Sequence, residues 1–183
     1  MEQKKKTNVQ EMTLIAVMAA VTCILGPLSV PIGVVPISLT NFAVYLAIYV
    51  LGCKRGTVSY IVYLLIGLVG VPVFSGFSGG VGKLFGPTGG YLIGFIFMAL
   101  ICGWCIDTFQ CKLVPSFIGM VLGTIVCYAF GTAWLAFQAS MSFSAALAAG
   151  VLPFIPGDLA KIVIAAVIGP QIRRRLAQAG LIK

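Results

Sequence analysis

Asp158 and Lys161 stand one helical turn apart at the start of an otherwise apolar run, Pro156-Gly157-Asp158-Leu159-Ala160-Lys161-Ile162-Val163-Ile164-Ala165-Ala166-Val167. A carboxylate and an ammonium at membrane depth are costly, and intramembrane ionisable groups point to function by default. At i and i+3 the two side chains project from one helix face. That geometry admits two readings. In one, the pair neutralises itself so that the helix tolerates both charges, either group being free to snorkel. In the other, it forms the polar floor of a substrate pocket. No serine, cysteine or acidic pair comes with a plausible general base, so catalysis is not expected.

The rest of the chain explains why these charges are unusual. Sixty per cent of the 183 residues are hydrophobic, 9% are charged and histidine is absent; mean hydropathy is +1.10. A soluble domain carries roughly a quarter charged residues, so this composition indicates a multi-pass membrane protein. The length suits a single membrane domain over 1–183, with about six spans of about 20 apolar residues each. The net charge of +8 does not imply nucleic acid, because the basic residues lie between apolar segments as bilayer orientation requires. Lys4-Lys5-Lys6 precedes an apolar stretch without a convincing cleavage site, which reads as a retained first helix.

The spans fall at about 9–25, 38–51, 57–73, 89–105, 113–138 and 158–171, an all-α architecture. Gly26-Pro27 and the prolines up to Pro36 end the first helix. With both termini cytoplasmic, Lys4, Lys5, Lys6, Lys54, Arg55, Lys112, Arg173, Arg174, Arg175 and Lys183 share one side. That is ten of the twelve basic residues, the bias expected of cytoplasmic segments. Lys83 and Lys161 are the exceptions. They fall at the outer level, together with Asp158, Asn41, Thr88 and Tyr91, and an anionic or strongly polar ligand would explain them.

Other patterns are weaker. Gly79-Gly80-Val81-Gly82-Lys83 departs from a phosphate-binding loop at Phe77 and Leu84, so nucleotide hydrolysis is not expected. Cys102 and Cys105 have CxxC spacing, but without histidine the six cysteines read as small apolar residues, with no metal or cofactor. Gly86, Gly90 and Gly94, and Gly119 and Gly123, repeat every fourth residue, a spacing that lets helices approach closely in lipid. Internal packing is the expected use of these glycines. Ala16 and Ala20 make a similar AxxxA on the first helix, where internal packing and an exposed docking surface both remain open.

Two stretches carry a family resemblance: Phe85-Gly86-Pro87-Thr88-Gly89-Gly90-Tyr91-Leu92-Ile93-Gly94-Phe95, and Pro153-Phe154-Ile155-Pro156-Gly157-Asp158-Leu159-Ala160-Lys161. They resemble the two signature segments of the BioY family, the biotin-specific S components of energy-coupling factor (ECF) transporters. The resemblance extends over nearly the whole chain, including Val35-Pro36-Ile37-Ser38-Leu39-Thr40-Asn41 and the AxxxA. It implies a six-helix S-component bundle in the cell membrane with a biotin pocket near the outer side. It also implies that Ala16 and Ala20 contact a membrane-embedded T component coupled to two cytoplasmic ATPase subunits, where ATP is hydrolysed. Asp158 and Lys161 match the family's acidic and basic binding positions, and Asn41 and Tyr91 lie in matching segments. Where some members place an arginine before Gly-Pro-Thr-Gly-Gly, this chain has Lys83.

Biotin presents two ureido N–H groups, one carbonyl, an apolar thiophane ring and a carboxylate on a valerate tail. On this resemblance Asp158 accepts from a ureido N–H in a charge-assisted bond near a helix N-terminus. Asn41 donates to the ureido oxygen and accepts from the other N–H. Lys161 or Lys83 neutralises the carboxylate, and Tyr91, Phe74 or Phe77 covers the rings. The alternatives are an S component for another small vitamin-like solute, or an oligomeric membrane protein that carries none.

Overall fold

The computed structural model describes residues 2–182 apart from 32–34, with side chains from Val9 onward. Lys4, Lys5, Lys6 and Lys183, assigned above to the cytoplasmic side, fall outside the described side chains. Among the described residues the chain forms α1 (Glu2–Leu25), β1 (Ser29–Val30), β2 (Ile37–Ser38), α2 (Thr40–Leu68), α3 (Val81–Leu84), α4 (Gly89–Thr108), α5 (Leu113–Gln138), α6 (Phe143–Gly150) and α7 (Ile155–Gln178). The strands pair antiparallel, Ser29 opposite Ser38 and Val30 opposite Ile37. By length and hydropathy α2, α4, α5 and α7 can each cross a bilayer, and α1 carries a shorter apolar run, Val9–Leu25.

The expected second and third helices are two arms of α2. Gly52 interrupts it with φ 79° and ψ 178°, a backbone region essentially reserved for glycine. In a straight helix residues eight apart lie about 12 Å apart along the axis. Here a methyl group on Gly56 would sit 3.1 Å from the Ile48 Cα, so the chain doubles back at Gly52. The second arm ends at Leu68, short of the expected residue 73, because Gly70 takes a positive φ of 109° and Pro72 follows.

Other boundaries also move. α7 starts three residues before Asp158, with a proline in its first turn, where the missing N–H is harmless. It continues through Pro170 to Gln178, beyond the expected residue 171. The segment after α5, expected to be a connection, contains α6, capped by the Ser142 hydroxyl accepting from the Ala145 N–H at 3.3 Å.

Packing follows the small residues. A methyl on Gly90 would overlap Trp134 of α5, and one on Gly94 would press on Cys127. From the other side Gly119 receives Cys105, while Gly123 receives Met98 and Cys102 of α4. Gly90, Gly94, Gly119 and Gly123 thus lock α4 to α5, as expected of internal packing, whereas Gly86 precedes α4 and lies against Gly82 and Lys83. On α1, Ala19 is buried with Met18 and Thr22, whereas Ala16 and Ala20 are exposed. The outward faces of α5 and α7 are apolar, including Ile118, Leu122, Ile125, Leu159, Val163 and Val167, as a lipid-facing surface requires.

Candidate functional site

Asn41 lies in the first turn of α2, Tyr91 in that of α4 and Asp158 in that of α7. Three helix beginnings therefore meet at one end of the bundle. They bound a small cavity lined also by Ser38, Thr88, Phe95, Met98, Thr124, Cys127, Tyr128, Phe154 and Lys161. A mostly apolar wall with a few polar groups is usual for small-ligand sites.

Asp158 and Lys161 pair at 3.0 Å with side chains 11% and 12% exposed. The ion pairs Arg55–Glu11 and Arg173–Asp107 are more open. They lie near Gly52 at the opposite end, where Asp107 Oδ2 also accepts from the Cys53 N–H at 2.7 Å. A buried pair is poor evidence for stability because desolvation offsets its attraction. Its burial in a cavity wall favours the pocket-floor reading over simple tolerance.

The hydrogen bonds assign each polar atom a task. Lys161 Nζ donates to Asp158 Oδ1 at 3.0 Å, Asn41 Oδ1 at 3.2 Å and the Ser38 carbonyl at 2.6 Å. An ammonium has three donors, so all are engaged. Lys161 straps the start of α2 to the start of α7. Asn41 Oδ1 also accepts from the Phe42 N–H at 3.0 Å, which leaves the Asn41 amide NH₂ as the donor for a ligand. Asp158 Oδ2 accepts from the Tyr128 hydroxyl at 2.6 Å, and the remaining lone pairs of this carboxylate are acceptors.

Tyr91 contributes a ring, since its hydroxyl donates to the Gly150 carbonyl at 2.9 Å. That ring needs glycine on two sides: a methyl on Gly131 would lie 2.2 Å from it, and one on Gly150 2.1 Å from its hydroxyl oxygen.

Of the expected site residues, Asp158, Lys161, Asn41 and Tyr91 line this one cavity. Lys83 does not; it is half-buried in the single turn of α3. Phe74 is buried against Tyr63 and Phe77 is 68% exposed, so neither forms the wall. The aromatic lining comes instead from Phe95, Tyr128 and Phe154 with Tyr91. Tyr128 escaped the sequence reading because a tyrosine within an apolar helix resembles any core aromatic. Its signal was its position ten residues before the end of α5, near the level of Asp158.

A membrane-embedded helical bundle around a small, nearly apolar cavity with one buried ion pair defines a class of solute-binding membrane proteins. The fold is that of an ECF S component. It matches the crystal structure of the S-component for biotin from an ECF-type ABC transporter with TM-score 0.86 and 34% identity, covering 92% of this chain and 93% of that one. The chain belongs to the BioY family, which matches residues 1–178. It is 36% identical over 173 residues to the biotin transporter BioY2 of Lactococcus lactis, covering 94% of this chain and 95% of that protein. It is 38% identical to a probable biotin transporter BioY of Pyrococcus horikoshii, covering 90% and 96%.

Proposed function

We propose that this protein is the biotin-binding S component of an ECF-type uptake transporter, which captures biotin from outside and delivers it together with a T component and two ATPase subunits. The observation that carries this reading is the buried Asp158–Lys161 pair in the cavity wall, tied to Asn41 and Tyr128. Asp158 accepts a ureido N–H and the Asn41 NH₂ donates to the ureido oxygen. Lys161 holds both in register. The rings of Tyr91, Phe95, Tyr128 and Phe154 cover the apolar thiophane and exclude water, which strengthens each polar contact.

The proposal includes six crossings: α1, the two arms of α2, α4, α5 and α7. Lys54, Arg55 and Arg173 lie at the end opposite the cavity, so the positive-inside bias puts that end in the cytoplasm and the cavity outside. Both termini are then cytoplasmic. ATP is hydrolysed on the partner subunits.

Calorimetric titration of the purified protein in detergent tests the ligand. Saturable one-to-one binding of biotin is expected. Absence of biotin binding by folded protein would overturn the reading, and saturable binding of a different vitamin in its place would identify another S-component specificity.

A further inference from the structure

The α4 wall of the cavity holds a polar group with no task so far. Thr88 occupies the N-cap of α4, lines the cavity and is 8% exposed. Its hydroxyl is buried without a hydrogen-bond partner among the described residues. A threonine at this position ordinarily bonds an N–H of the first turn, yet its side chain makes no such cap here. A buried hydroxyl left unmade costs free energy, and a bound ligand that completes it recovers that cost.

Charge accounting indicates which ligand group it meets. Asp158 and Lys161 cancel each other, and every Lys161 donor is engaged within the protein. Lys83 lies outside the cavity lining. A carboxylate entering the cavity therefore finds no free ammonium. It finds a hydroxyl donor at Thr88, beside the N-terminus of the 20-residue α4, where the helix carries roughly half a positive charge. Asp158 and Asn41, which suit the ureido ring, belong to the α7 and α2 walls.

We infer that Thr88 donates its hydroxyl proton to the ligand's tail carboxylate, with the α4 N-terminus supplying the surrounding field. This rests on the biotin reading and assigns the far end of that ligand. The test compares biotin with biotinol, whose carboxylate is replaced by a primary alcohol, on full-length protein in detergent. Thr88→Val, which keeps the shape and removes the hydroxyl, is expected to weaken biotin by about tenfold or more, as for a hydrogen bond to a charged group. Biotinol affinity stays as in the parent. The ligand-free thermal midpoint stays level or rises, because an unsatisfied buried hydroxyl has been removed. Thr88→Ser regains most of the biotin affinity. Equal weakening of both ligands, undiminished biotin binding or a lowered midpoint would each overturn the inference, since Thr88 would then serve the ring, nothing, or the fold. Failure of the parent to bind biotin would instead sink the biotin reading itself.

Discussion

Asp158 is held from two sides, by Lys161 on Oδ1 and Tyr128 on Oδ2, so its carboxylate is fixed before any ligand arrives. Preorganised charge of this kind gains affinity by reducing the ordering cost of binding. Asp158→Asn keeps the size and removes the charge and one acceptor. Biotin affinity should fall by about 1.5–3 kcal/mol, the range for a hydrogen bond to a charged group, read by titration. Lys161→Ala should weaken binding too, although Lys161 need not touch the ligand, because Asn41 and Asp158 lose their common partner. It also strands a buried carboxylate, so the thermal midpoint should drop. The double variant should lose less than the sum, since the two groups act as one unit. Parent-like affinity in both single variants would reduce the pair to a structural role. These two residues were legible because charges stand out in an apolar run, and Asn41 and Tyr91 because topology carries them to the same level. Tyr128 and the idle Thr88 hydroxyl were not, since each gains meaning only from the atoms around it.

At the scale of elements, the turn inside α2 carries the arrangement, because it returns the chain to the cavity end. Two features hold it: the glycine-only backbone of Gly52, and the Asp107 carboxylate, which accepts from the Cys53 N–H at 2.7 Å and from Arg173 Nη1 at 3.1 Å. A methyl on Gly52 would lie 3.0 Å from Asp107 Oδ2. Gly52→Ala should therefore cost about 1–3 kcal/mol for the strained backbone. That corresponds to a thermal midpoint lower by several degrees, with biotin affinity at 25 °C unchanged because the turn lies at the far end. An unchanged midpoint would show that the turn tolerates a side chain and is held otherwise. The turn at Gly52-Cys53-Lys54-Arg55 between the spans 38–51 and 57–73 was readable, though not the positive φ of Gly52 or the Asp107 contact that holds it. Helix α6 was not readable, because eight residues rich in alanine carry too little periodicity to distinguish them from a connection.

For the whole molecule, the proposed orientation rests on the basic residues at one end and the cavity at the other. With the cysteines removed, Ser78→Cys should react with an impermeant thiol reagent from outside and Gln110→Cys only from inside. Labelling of both from one side would overturn the crossing pattern and the outward cavity with it.

Facing also decides how a captured ligand is handed on. Helix α1 turns Met18, Ala19 and Thr22 inward. Its outward face runs through Met12 and Ile24, 69% and 67% exposed, with Ala16 and Ala20 exposed between them. Two small residues between larger ones make a shallow seat for a second helix, which in lipid associates by close packing. The double replacement Ala16→Trp with Ala20→Trp fills that seat without entering the bundle. It should leave folding and biotin binding in detergent intact, while abolishing co-purification with the T component and ATPases and biotin accumulation in cells. Loss of binding together with folding would mean that the face packs within the protein after all. Undiminished uptake would mean that the partner docks elsewhere. Because the alanines are exposed and distant in sequence from the cavity residues, capture and coupling separate cleanly in this one variant.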